Sequence, residues 1–264
     1  MPMIIDCHTH IYPDKIATRA VDSIGSFYGI PMAMDGTVDS LLRLMDRSGV
    51  DKALVCSAAV DAAHVRAVND FLIATVNAHP DRLWGFGTLH ADTPDPADEV
   101  AYIMDHGLRG VKLHPDMQRF ALSDDKARGI WQACEHVCPL LIHTGDRRYH
   151  YSNPSMIPAI VRDFPSLTLI CAHMGGYSEL DDPAIPLQGK NVYVDCSSSF
   201  FALSREQMLD LFARYGEDRI LFGSDYPMWD MGSELEKLRD LGLSETAMQK
   251  ILSGNLLKIL GENA

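Results

Sequence analysis

Short apolar runs rich in β-branched residues recur near positions 3–10, 52–58, 83–89, 108–114, 139–144, 167–173, 191–197 and 219–224. Each is bounded by polar or turn-forming residues and is too short for a buried helix, so the pattern predicts eight strands. Between them, apolar positions return at three- and four-residue spacing. This predicts helices over Val38–Ser48, Val65–Ala78, 97–105, 126–136, 154–163 and Arg205–Tyr215. Ser48-Gly49, His106-Gly107 and Tyr215-Gly216 put a turn glycine where a helix should stop. Strands alternating with helices, most at intervals of about 25 to 30 residues, imply parallel β/α units. Eight such units give an α/β chain folded as a (β/α)8 TIM barrel, one domain over residues 1–264. Segment 11–36 carries Gly25, Gly29, Pro31 and Gly36 and reads as a long excursion over the barrel mouth; segment 234–260 reads as two helices broken at Gly242.

Composition narrows the function classes. The formal charge of −13 opposes binding to phosphate backbones or anionic membrane surfaces, so neither nucleic acid nor membrane is an expected partner. No apolar run is long enough to span a bilayer, and the N-terminal residues lack a basic segment followed by an apolar one. The six cysteines lie in apolar segments and form no CxxC, which suggests reduced core thiols and a cytoplasmic location. The oligomeric state stays open, a homo-oligomer included.

In a parallel barrel the site lies at the C-terminal ends of the strands. His8 and His10 end the first expected strand, His90 follows the third, and His114, His143 and His173 end the fourth, fifth and sixth; Asp225 ends the eighth. His64, His79, His106, His136 and His150 fall in helices, turns or loops and read as surface or capping groups. Residues i and i+2 of a strand share a face, so His8 and His10 point at one spot. On its own the pair also suits hydrogen-bonded rim residues. A catalytic divalent metal needs three or four N/O ligands with one position open, and His143 and Asp225 can complete that set. Burying so many titratable groups at one face is costly unless they share a ligand.

The ordered set Ile5-Asp6-Cys7-His8-Thr9-His10, Gly110-Val111-Lys112-Leu113-His114-Pro115, Leu141-Ile142-His143-Thr144-Gly145, Ala172-His173-Met174-Gly175-Gly176 and Leu221-Phe222-Gly223-Ser224-Asp225-Tyr226-Pro227 resembles the amidohydrolase superfamily. Within it, the sequence is most similar to the branch that includes aminocarboxymuconate-semialdehyde decarboxylase. The resemblance implies a distorted barrel with one metal held by His8, His10, His143 and Asp225, and His173 close to the metal and its water. Zn is the expected ion, with Mn or Fe as alternatives tolerated by the same ligands.

The expected chemistry is a metal-dependent hydrolase that activates water to cleave a small ester, lactone or amide. The alternative is a non-oxidative decarboxylase or hydratase of an unsaturated or aromatic carboxylic acid at the same mononuclear site. Asp225 is the expected general base and acid. His173 is expected to orient water or stabilise an oxyanion, against a reading as a packed core histidine. Lys112 and His114 share a strand face; Lys112 admits three roles, a carboxylated bridging ligand, a satisfied interior cation or a partner for a substrate carboxylate. Arg147 and Arg148 are suited to gripping a carboxylate bidentately, against a reading as loop residues paired with Asp146 or other surface acids. Tyr12 and Trp229 are candidate pocket walls. The expected partner is thus a small molecule, a carboxylate among the options. A non-catalytic scaffold is disfavoured because every ligand position is filled. A nuclease is disfavoured by the missing carboxylate bridge and the acidic charge.

Overall fold

The computed structural model describes residues 3–262. The chain divides into two compact units, both discontinuous in sequence: Met1–Cys56, Ala78–Trp84 and Cys196–Ala264 form one, Ser57–Asn77 and Gly85–Asp195 the other. Each has its own parallel ladder. Among the described residues, no helix is long and apolar enough to cross a membrane.

In the first unit β1 (Ile5–His10), β2 (Lys52–Cys56) and β3 (Leu83–Gly85) pair in chain order. Ile5 pairs with Lys52 and Asp6 with Ala53, but Thr9 pairs with Val55 and His10 with Cys56, so β1 carries one extra residue between Asp6 and Thr9. Such a bulge lifts backbone groups off the ladder. The His8 amide is one of them, and the buried Asp6 carboxylate accepts it at 3.0 Å. The chain after β9 (Ile220–Leu221) runs beside β1: Cys7 N–H donates to the Phe222 carbonyl and His10 N–H to that of Tyr226. That approach needs Gly223, where a Cβ would come within 2.9 Å of His8 Cβ.

In the second unit β4 (Gly87–Thr88), β5 (Val111–Leu113), β6 (Leu140–Ile142), β7 (Leu169–Cys171) and β8 (Val192–Asp195) lie in chain order. Val111 pairs with Leu140, Leu140 with Leu169 and Leu169 with Val192. These strands are short and wholly buried, as expected of a parallel sheet, and that is why they read as continuous apolar runs.

The helices follow their caps. Val38–Ser48 starts at Thr37, whose hydroxyl accepts from Ser40 N–H, and stops at Gly49 with φ +67°. Arg205–Tyr215 starts with a reciprocal Ser204/Gln207 capping box and ends at Gly216. Two expectations change. Segment 11–36 contains a helix, Asp14–Tyr28, in which only Ala17 is fully buried; Gly25 within it and Gly29 at its end give the segment its loop-like composition. The run expected at 83–89 is divided at Phe86 into β3 and β4.

The side chain of Asn69 explains how β4 ends. Its Oδ1 accepts from Thr88 N–H at 2.7 Å, and its Nδ2 donates to the Thr88 carbonyl at 3.1 Å and to Glu99 Oε1 at 2.7 Å. A fully buried carboxamide thus takes the place of a neighbouring strand for Thr88. Asn69→Ala strands those groups and should reduce the unfolding free energy by about 3 kcal/mol in urea titration; a loss under about 1 kcal/mol would refute this role.

Candidate metal centre

At the end of β1 three ligand-type atoms converge. His8 Nε2 and His10 Nε2 lie 3.1 Å apart, and each is 3.5 Å from Asp225 Oδ1. Bonds of 2.0 to 2.2 Å at angles between tetrahedral and octahedral values place neighbouring ligands about 2.8 to 3.6 Å apart, so the triangle fits one divalent ion. The outer face of each ring is anchored. Ser197 Oγ lies 3.0 Å from His8 Nδ1, and Cys56 Sγ lies 3.7 Å from His10 Nδ1. Partners on Nδ1 leave Nε2 as the nitrogen that could ligate an ion. The two rings are tilted by 56°, so their in-plane lone pairs can meet at a point. His8 is buried while the side chains of His10 and Asp225 keep slight exposure, which leaves the triangle an open side.

Asp225 lies four residues beyond the last strand residue, at φ +63°. An aspartate in the left-handed region is strained by about 1–3 kcal/mol. Its N–H donates to the His8 carbonyl and its carbonyl accepts from Met228 N–H, and these bonds hold it there. Its Oδ2 accepts a 2.5 Å hydrogen bond from Ser198. Burial drives the Asp6 carboxyl up to about 7, against the lowering effect of donors from Ser224 and His8. Tyr12 is half-buried, and burial pushes its phenol upward, with the charges of Cys56 and Asp225 adding to the rise.

A second cluster belongs to the other unit. His143, just after β6, and His173, just after β7, share a hydrogen bond of 2.9 Å between Nδ1 and Nε2. His173 N–H donates to the buried Asp195 carboxylate at 3.1 Å, and the residue sits at φ +60°. His114 caps the short helix Pro115–Gln118 and stacks on His143, with centroids 4.1 Å apart and planes within 8°. Asp116 lies near His143 Nε2 at 3.9 Å. By distance His114, Asp116 and His143 could hold an ion. By angle they do not, because the lone pairs of two parallel stacked rings lie in separate parallel planes and do not meet at one point. Burial raises the Asp116 carboxyl to about 6, opposed by the Ser152 hydroxyl and reinforced by the nearby Asp146 charge.

The substrate-side candidates separate. Lys112 is fully buried on β5. Arg148 forms a two-pronged pair with Asp146, at 2.9 and 2.6 Å, and Arg147 pairs with Asp181 and donates to the Ser178 carbonyl. His90, also at a strand end, is engaged by the Gln118 carbonyl at 3.0 Å and the Asp92 amide. Sequence reasoning passed over Ser197, Ser198, Asp116, Ser152 and Asp195. The run Cys196-Ser197-Ser198-Ser199 after β8 was the one available signal, since small polar residues at a strand end suit anchoring roles.

The glycine of the His143-Thr144-Gly145 segment has a visible reason. Gly145 lies at φ +88°, and a Cβ there would sit 2.5 Å from the Gly176 carbonyl carbon. Gly145→Ala should therefore lose more than about 2 kcal/mol of stability, read as a lower thermal unfolding temperature; an unchanged transition would contradict the packing described.

Comparison with known proteins adds a frame. Residues 5–261 match the family profile described as Amidohydrolase. Among solved structures, an uncharacterised TIM-barrel protein from Bordetella bronchiseptica superposes with a TM-score of 0.78 at 21% identity, over 98% of each chain. A 5-carboxyvanillate decarboxylase from Novosphingobium aromaticivorans, with bound manganese and 3-methoxy-4-hydroxy-5-nitrobenzoic acid, gives 0.77 at 18% identity, over 98% of this chain and 97% of that one. A dihydroxybenzoic acid decarboxylase from Polaromonas, with bound manganese and the inhibitor 2-nitroresorcinol, gives 0.74 at 17% identity, over 99% and 97%. The α/β TIM-barrel fold expected from the sequence is the fold these likenesses show.

Proposed function

The chain belongs to the amidohydrolase family, and from that premise we propose that it is a metal-dependent, non-oxidative decarboxylase of a small aromatic or unsaturated carboxylic acid. The observation that carries this reading is the triangle of His8 Nε2, His10 Nε2 and Asp225 Oδ1, spaced as the ligands of one divalent ion. The manganese and the nitro-substituted aromatic ligands in the two decarboxylase structures favour loss of CO2 over the hydrolysis first expected, and manganese over zinc.

The proposed ligand set is His8, His10, His143 and Asp225. A bound divalent ion supplies Lewis-acid polarisation of a substrate oxygen. The substrate carboxylate leaves as CO2, its bonding electron pair stays on carbon, and one proton takes its place there. Asp225 is the proposed carrier of that proton. A neutral His143 that ligates through Nε2 keeps its proton on Nδ1 and donates it to His173 Nε2, 2.9 Å away, which fixes its ring. His173 is the proposed stabiliser of the negative charge that collects on the substrate oxygens. Lys112, His114 and Tyr12 are the proposed substrate-side groups. Arg147 and Arg148 join them only where an incoming carboxylate displaces Asp181 or Asp146.

The test pairs a CO2-release assay on hydroxylated benzoic acids with a lactone-hydrolysis assay on the same preparation. The expected result is CO2 with the decarboxylated product, lost on chelation and restored by Mn²⁺. Asp225→Asn should lower kcat by about 100-fold or more. Lactone cleavage without CO2 would return the protein to the hydrolases.

A further inference from the structure

Resting on the reading of His8, His10 and Asp225 as ligands of one ion, we propose that Ser198 is a positioning residue: its hydroxyl, oriented by the Trp229 indole, fixes Asp225 so that Oδ1 faces the two imidazoles. Ser198 Oγ lies 2.5 Å from Asp225 Oδ2 and 2.8 Å from Trp229 Nε1. Chemistry sets the direction of both bonds. An indole N–H can only donate and an ionised carboxylate can only accept, so Ser198 accepts from Trp229 and gives its single proton to Asp225. Met228 Sδ, 3.5 Å from the hydroxyl, is a much weaker acceptor and does not compete. With Oδ2 so engaged, Oδ1 is the oxygen left 3.5 Å from each Nε2.

A carboxylate free at both oxygens can bind a cation through one, through the other or through both. Ser198 removes that choice, and it does so from a conformation that disfavours serine. The residue is 1% exposed and lies at φ +49°, where glycine would sit without strain. A buried serine in that conformation, aimed at a carboxylate that is itself at φ +63°, is explained by what its hydroxyl does. Trp229 is held in turn by its stack on Phe201, with centroids 5.1 Å apart and planes at 26°.

Ser198→Gly separates the two roles, because it deletes the hydroxyl and relieves the backbone strain in one step. Metal-stripped wild-type and variant proteins are titrated with MnCl2 while electron paramagnetic resonance follows free and bound Mn²⁺, and thermal unfolding of each apo form is recorded. The variant is expected to unfold at or above the wild-type temperature, yet to bind Mn²⁺ about ten-fold or more weakly and with an altered bound-ion spectrum. Trp229→Phe, which leaves the hydroxyl but removes its orienting donor, should weaken binding by a smaller factor. Wild-type affinity and spectrum in Ser198→Gly overturn the proposal, whatever the unfolding temperature. If the wild-type protein itself takes up no Mn²⁺, the metal reading fails and this inference falls with it; loss confined to the variants supports Ser198 alone.

Discussion

Two imidazole nitrogens and a carboxylate oxygen held within 3.5 Å of one another are the constraint around which the first unit is arranged. Three lone-pair-bearing atoms repel at that distance unless a proton or a cation lies between them. Keeping them together requires that each side chain be fixed from behind, and the surrounding residues do this. Ser197 and Cys56 hold the outer nitrogens of the two rings, Asp6 holds the His8 amide, and Ser198 holds the far oxygen of Asp225. The irregularities of the backbone serve the same end. The bulge in β1 sets the His8 amide off the ladder, Gly223 lets the neighbouring segment approach His8, and Ser198 and Asp225 adopt left-handed conformations to complete the closure. Strain of this kind persists only where the surroundings over-determine it.

The sequence made the elements legible where burial is strongly one-sided. Val38–Ser48, Val65–Ala78 and Arg205–Tyr215 lie where their apolar spacing predicts, and the first and last of them end at the expected glycines. Asp14–Tyr28 carries apolar residues at helical spacing, Ala17, Val21, Ile24 and Tyr28, but Gly25, Gly29, Pro31 and Gly36 give the segment the composition of a loop. Period-two reasoning brought His8 and His10 to one spot, and they meet there at 3.1 Å, although the bulge between Asp6 and Thr9 left no trace in the residue pattern. Asp225 was legible as a residue but not as a conformation, because it lies past the strand rather than on it. The supporting groups could not be read at all. Ser198 and Asp225 are 27 positions apart, and Ser197 and His8 are 189 apart. A lone serine carries no periodicity and no motif, so its partner becomes visible only when the chain is folded.

Electrostatics bears on what such a site receives. A chain with formal charge −13 repels a carboxylate at long range, so capture requires local positive charge. The loop arginines supply little of it. Arg148 is matched bidentately by Asp146, whose backbone amide is held in a network where the Ser152 hydroxyl, donating to Asp116, accepts from the amides of Gly145 and Asp146. Displacing Asp146 from Arg148 would leave a buried carboxylate without its counter-charge, a loss that a substrate carboxylate could at best offset. The pair therefore staples the loop after His143. In the proposed ligand set, neutral imidazoles and a single carboxylate leave a divalent ion with one unbalanced positive charge. In that proposal the charge lies at the slightly open side of His10 and Asp225, where an anionic substrate would gain most, and recognition of an acid would be tied to the chemistry performed on it.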